Sequence, residues 1–301
     1  MNIFPTLRHW LRNTAPVWQA RNAGGRLRYW QERPALAAPE ARAVASLRQD
    51  GITLAAVDEI SPPGTFVELQ SWARRRRELP EIEAAIRGRA EGKGPGPAGK
   101  KARFLVDLWG GPHELDLGNA FIRWSLSRPL LAIVSSYLGL VPRLREFFLE
   151  VTVPRRGLGD PIASQRWHQD PDDKKLVKVF LYLNDVDEGA GPFTYVKGSH
   201  ASGRWRSAFP FDPDRGRHPD AAMVERLVPP EDRIVATGRA GTVIFCDTSG
   251  VHRGGYATMN ERIMYTSVYT TPASRLPQRY TVPLAFEGQN LGRLARYAIR
   301  P

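Results

Sequence analysis

The feature that most constrains this chain is a change of texture after Gly139. Before it, apolar residues recur at helical spacing; after it they fall into short extended segments separated by turn residues. Those segments lie at 149–153, 176–183, 192–196, 242–246 and 262–269. Helices first and short strands later predict an antiparallel sandwich or barrel with helices packed on it from the N-terminal side. The helical half is punctuated clearly. From Pro39 the spacing of Glu40, Val44 and Leu47 predicts a helix stopped by Gly51, and Ile52 starts an extended run. The run PLLAIVSSYL at 129–138 predicts a buried helix closing at Gly139.

Two stretches read differently. Phe4, Leu7, Trp10 and Leu11 suggest a short amphipathic helix, packed on the domain behind it or resting on a membrane surface through residues 1–20. The segment GKGPGPAGKK at 92–101 cannot bury apolar area and is expected to be a mobile loop, preceded by four arginines at 74–77 expected on a solvated helix face. We therefore expect a helical extension over 1–40 and a single domain over 41–301.

Composition narrows the class. Hydrophobic residues make up 42% of 301, enough for a packed core, and the single cysteine, Cys246, excludes a disulfide scaffold and reads as a small core hydrophobe. No apolar run reaches the roughly 20 residues that span a bilayer, and the first residues lack signal-peptide order, so a cytoplasmic location is expected. The net charge of +12 favours anionic partners. Hydrolase, dinucleotide and P-loop signatures are absent.

The chemistry concentrates in Trp167-His168-Gln169-Asp170 and in Gly250-Val251-His252-Arg253-Gly254-Gly255. In an extended chain residues two apart share a face, about 6.5 to 7 Å apart at Cα, so His168 and Asp170 can converge on one ion. His252 is the candidate third ligand, and two histidines with one carboxylate suit non-haem Fe(II). An H-x-D pair also arises by chance in proteins that bind no metal. Ten residues beyond His252, Arg262 opens an alternating strand, with Met259-Asn260-Glu261 as a plausible hairpin turn returning it beside His252. An inward guanidinium there needs an anion, such as a dicarboxylate; the alternative is a surface arginine at a strand end. Asp247 is placed to hydrogen-bond the turn before His252, and His200 reads as a turn or supporting residue rather than a fourth ligand.

The run HQDPDDKKLVKVFLYLNDVDEGAGPFTYVKGSH, 168–200, resembles the core of the phytanoyl-CoA dioxygenase family, and AGTVIFCDTSGVHRGGYATMNER resembles that family's second ligand strand. Together the two cover roughly 130–275. Departures are Lys197 where the family often has Pro, and a shorter interval between His252 and Arg262. The resemblance implies a double-stranded β-helix (jelly-roll) core buttressed by N-terminal helices. It implies Fe(II) held by His168, Asp170 and His252, with 2-oxoglutarate and O2 as co-substrates and Arg262 on the distal carboxylate. Lys178, Phe180 and Tyr182 share one face of the strand after H-x-D, and Tyr182 is the choice for a further residue lining the 2-oxoglutarate pocket. The function so implied is hydroxylation of an anionic or lipid-like small molecule with release of succinate and CO2. A non-catalytic metal-binding jelly roll and a nucleic-acid demethylase are the alternatives, although no basic motif interleaved with aromatics supports nucleic acid as a partner.

Overall fold

A computed structural model describes residues 14–93, 103–155, 159–212, 217–274, 276–283, 286 and 291–300. The amphipathic helix expected around Phe4–Leu11 and all but the first two residues of the segment 92–101 lie outside them.

The helical half consists of α1 (Ala15–Arg21), α2 (Ala23–Gln31), α3 (Ala38–Asp50), α4 (Val57–Ile60), α5 (Thr65–Arg77), α6 (Pro80–Ala90), α7 (Ala120–Ser125) and α8 (Arg128–Leu138), with strands β1 (Ile52–Ala56) and β2 (Leu105–Asp107) between them. The β-rich half follows as β3 (Arg143–Thr152), β4 (Leu176–Tyr182), β5 (Phe193–Val196), α9 (Ala221–Leu227), β6 (Arg233–Ala236), β7 (Thr242–Cys246), β8 (His252–Arg253), β9 (Arg262–Thr270) and α10 (Arg293–Ala298).

Helix boundaries follow the local chemistry. Pro129 sits in the first turn of α8, and Gly139 ends it at φ 71°, a left-handed conformation that favours glycine. Every residue of α8 from Leu130 to Leu138 is buried, as an apolar run with no polar face requires. At α3 the Glu40 carboxylate accepts the Ala37 N–H at 2.9 Å and offsets the orphan donors of the first turn.

The strands form two sheets. The larger has six strands in the order β1-β7-β4-β9-β3-β2, and the smaller has three, β6-β5-β8. All strand pairs are antiparallel, and the longest register, β3 against β9, runs from Arg143↔Thr270 to Thr152↔Arg262. Side-chain alternation on β4 explains the layers. Val177, Val179 and Leu181 face outward into a core shared with Leu47, Leu69, Phe121 and Ile133 of the helices. Phe180 and Tyr182 face inward and meet Phe193 and Tyr195 of the smaller sheet, with Ile52, Ile244 and Cys246 completing this second core. Apart from Lys178 on the inner one, both faces of β4 are therefore apolar, as a strand covered on both sides demands. The architecture is a double-stranded β-helix (jelly roll) whose sheets face each other without closing into a barrel, with the helices on its outer face.

Two expectations are corrected. The chain from His252 to Arg262 is not a hairpin: β8 pairs with β5 in the smaller sheet, whereas β9 pairs with β3 and β4 in the larger. The intervening residues cross from one sheet to the other. The four arginines at 74–77 are not one solvated face, because consecutive helical residues point about 100° apart. Arg74 is exposed and pairs with Glu78. Arg76 instead donates to the Leu108 carbonyl at 2.9 Å, and Arg77 forks onto the Glu261 carboxylate at 3.0 and 2.9 Å.

Candidate metal centre

His168 stands opposite His252, each backbone N–H donating to the other's carbonyl at 2.9 Å. The two imidazoles consequently lie side by side, with ring centroids 4.1 Å apart. Two residues on, the Asp170 N–H donates to the Thr248 carbonyl at 2.9 Å, which returns its carboxylate to the same cavity. One donor atom from each of His168, Asp170 and His252 falls within a set whose members all lie within 4.8 Å of one another. Among the described residues this is the group of histidine, cysteine and carboxylate donors arranged to share an ion.

The tautomers suit a metal. Nδ1 of His168 is 2.9 Å from the Arg166 carbonyl, and Nδ1 of His252 is 2.9 Å from the Gly250 carbonyl. A carbonyl oxygen only accepts, so in the neutral rings each Nδ1 carries the proton and each Nε2 presents a lone pair. Those Nε2 atoms lie 3.9 and 3.5 Å from Asp170 oxygens, too far for a hydrogen bond and close enough to surround a small cation. Burial, with His168 beside it, lowers the His252 pKa to about 3, so the ring is neutral across the physiological range. Burial alone would raise Asp170, but Lys178 and the two histidines outweigh it and hold the carboxyl well below the usual range.

The sequence places Lys178 on one face of its strand with Phe180 and Tyr182 and gives it no partner. Its Nζ is 2.7 Å from Asp170 Oδ2. The signal for this partnership was present in the sequence, since a lysine on the inner face of an apolar strand must meet an anion.

Arg262 enters the cavity from the opposite sheet. It is 4% exposed, donates from Nη1 to the Gly191 carbonyl at 2.7 Å and from Nη2 to Thr152 Oγ1 at 3.2 Å, and its Nε is buried without a hydrogen-bond partner. Burial lowers its pKa from the ordinary arginine value. A desolvated guanidinium with remaining donor capacity on a cavity wall is suited to an anionic ligand. Gly254 and Gly255 lie beside it: a Cβ on either would be in ordinary van der Waals contact with its Nη atoms, at 3.4 or 3.6 Å. Tyr182 is placed differently. It is fully buried behind Arg262, its hydroxyl donating to the Ala236 carbonyl at 2.8 Å and accepting the Phe193 N–H at 3.2 Å, and it is not among the residues lining the cavity. The rest of the wall is largely apolar, with Phe104, Phe148, Phe180, Phe193 and Met264 beside Glu150 and Thr152.

The turn that delivers His252 is held from several sides. Asp247 Oδ1 accepts the Ser249 N–H at 3.0 Å and its hydroxyl at 2.6 Å, while Oδ2 accepts the Tyr137 hydroxyl at 2.6 Å. Gln169 Nε2 donates to the Ser249 carbonyl at 2.7 Å, tying the His168–Asp170 segment to the same turn. His200 is buried under Gly51, a neighbour of the sheet rather than of the donor set.

No family model matches the chain, and no curated protein sequence matches it. Solved structures do. The chain is similar to the epimerase SnoN in complex with Fe3+, alpha ketoglutarate and nogalamycin RO, at 20% identity and a TM-score of 0.51 over 77% of this chain and 84% of that one. It is also similar to AviO1 from Streptomyces viridochromogenes Tue57, at 19% identity and a TM-score of 0.51 over 80% of this chain and 98% of that one. At these identities the likeness is one of fold, and it extends over most of each molecule.

Proposed function

We propose that this protein is an Fe(II)- and 2-oxoglutarate-dependent oxygenase that hydroxylates a small molecule, with His168, Asp170 and His252 as the iron ligands. The observation that carries this reading is the donor set itself: two imidazoles whose Nδ1 atoms face carbonyls, leaving both Nε2 lone pairs directed at one ionised carboxylate. Two histidines and one carboxylate, with the opposite side left for other ligands, is the arrangement suited to non-haem Fe(II) and dioxygen. SnoN, of similar fold, is known in complex with Fe3+ and alpha ketoglutarate, which supports this reading.

When bound, iron with 2-oxoglutarate and O2 supplies the oxidative decarboxylation that readies oxygen for attack on a substrate C–H bond. The chain's own residues prepare the site. The Arg166 and Gly250 carbonyls fix the ring orientations of His168 and His252, and Lys178 keeps Asp170 ionised. Arg262 binds the distal carboxylate of 2-oxoglutarate, and the phenylalanines at 104, 148, 180 and 193 exclude water and receive the apolar body of the substrate. That wall favours a lipid-like substrate over a highly charged one, with any anionic group held toward the mouth.

Anaerobic titration with Fe(II) and 2-oxoglutarate, followed by aerobic assay of succinate, tests the reading. We expect slow succinate release without added substrate, and its loss in Asp170→Ala; full retention in that variant would overturn the iron assignment. Absence of succinate release from iron-loaded protein would instead favour a metal-binding module without turnover. Screening of small-molecule extracts then separates outcomes by mass: hydroxylation adds one oxygen, whereas epimerisation, the activity in SnoN's description, leaves the mass unchanged.

A further inference from the structure

A second concavity lies among α2, α10 and Val141, and it shares no lining residue with the metal cavity. Arg28, Arg293, Arg296 and Arg300 line it, with Leu294 and Tyr297 as part of its floor. A fifth guanidinium stands beside them. Arg143 lies over the Tyr297 ring at 4.2 Å from its centroid and donates to the Tyr297 carbonyl, while Arg28 lies over that ring at 4.7 Å. Among the described lining residues the carboxylate is Glu32, whose Oε1 is 2.9 Å from Arg293 Nη1. Among the described residues, five arginines against one glutamate leave a surplus of four positive charges around one hollow.

Such a cluster is unfavourable on its own. Burial, with Arg300 and Arg28 as like-charged neighbours, pushes Arg143 below its ordinary value against the pull of Tyr297. Two of the guanidiniums are nevertheless held against the buried Tyr297 ring rather than left to spread into solvent, which reduces the ordering cost when an anion arrives. The planar guanidinium fork matches phosphate oxygens in pairs. A single carboxylate offers two oxygens and one charge, which falls short of this surplus; a diphosphate group offers more of both. We propose that this pocket binds a ligand bearing two or more phosphate groups, either linked, as in the pyrophosphate of a soluble molecule, or separate, as on a polyphosphoinositide headgroup, at a site apart from the metal cavity.

Calorimetric titration of the full chain with inorganic pyrophosphate tests the soluble source. Co-sedimentation with phosphatidylcholine vesicles, with and without phosphatidylinositol bisphosphate, tests the headgroup. Saturable binding in either arm is expected, weakening as salt is raised. The double change Arg296→Glu with Arg300→Glu is expected to weaken it tenfold or more, as loss of a charge-assisted hydrogen bond worth about 1.5–3 kcal/mol implies. Both side chains are exposed, so melting temperature and metal-dependent succinate release should stay unchanged, and the milder Arg296→Gln should give an intermediate loss. Affinity that is the same in the double variant, or no saturable binding in either arm, would overturn the proposal. So would preferential binding of a short oligonucleotide that the same variants abolish, which would assign the patch to nucleic acid.

Discussion

The Arg262 guanidinium fixes itself through Gly191 and Thr152 and still turns an unpartnered N–H toward its surroundings, an arrangement that a lysine cannot reproduce with one ammonium. Arg262→Lys is therefore expected to raise the KM for 2-oxoglutarate about 10- to 100-fold, the range that losing a fork onto a carboxylate implies, with a smaller change in kcat. Succinate release measured against 2-oxoglutarate concentration checks this, and an unchanged KM would remove Arg262 from the co-substrate site. At this scale the sequence was most legible where chemistry is local. Histidine and aspartate two apart in extended backbone signal convergence. Tyr182 shows the limit. Facing inward on β4 is not the same as facing the cavity, because how far along the strand the cavity extends depends on β5 and Arg262, which lie elsewhere in the chain.

Among elements, the connection from β8 to β9 has the largest effect on the site. A hairpin would have set Arg262 beside His252 on one sheet; the observed crossover sets it opposite. Sequence spacing alone does not separate these two, since a nine-residue separator permits both and the decision rests on long-range pairing of β9 with β3 and β4. By contrast α3 and α8 were readable because proline and glycine mark their ends, and β4 and β7 because their apolar runs are nearly continuous. The Arg77–Glu261 fork, which pins the start of β9, was hidden in a run of arginines that composition treats alike. Gly191 gives the element-scale prediction. Its φ of 66° is left-handed, and a Cβ there would lie 2.6 Å from the Ala257 backbone nitrogen. Gly191→Ala should cost at least about 1–2 kcal/mol from backbone strain alone, and because the Gly191 carbonyl accepts Arg262 it should also weaken 2-oxoglutarate binding. Urea unfolding and the KM are the two readings; a loss of stability with the KM untouched would separate the turn from the site.

Across the whole molecule the N-terminal helices are tied to the sheets by buried polar links. The Asp173 carboxylate accepts Trp18 Nε1 at 3.1 Å, the Lys174 N–H at 2.7 Å, and the Thr271 N–H and hydroxyl at 2.8 and 2.7 Å. Asn22 reaches Ala273 at 2.9 Å, close by. Burial lifts Asp173 to about 6 in spite of these donors. The folded chain then holds a proton there that the unfolded chain releases near 4, so this contribution to stability is present at lower pH and is lost as pH rises through about 6. The stability difference between the wild type and Asp173→Asn should therefore fall by up to about 3 kcal/mol from pH 4 to pH 7, read by urea unfolding across that range. A pH-independent difference would place the carboxyl at its ordinary value. No helix among the described residues is long and apolar enough to cross a membrane. Part of the net charge of +12 lies in one desolvated arginine in the cavity and part in the arginines around the hollow between α2 and α10.

Phe180 of the larger sheet meets Phe193 of the smaller at a centroid distance of 4.7 Å. Under the proposed function, His168 and His252 would hold iron on one side of the cleft and Arg262 would hold the distal carboxylate on the other, so the co-substrate would span the gap between the sheets. The contact between Phe180 and Phe193 would then help to set the length of dicarboxylate that fits. Selection among dicarboxylates of different length would be tuned at residues that touch neither end.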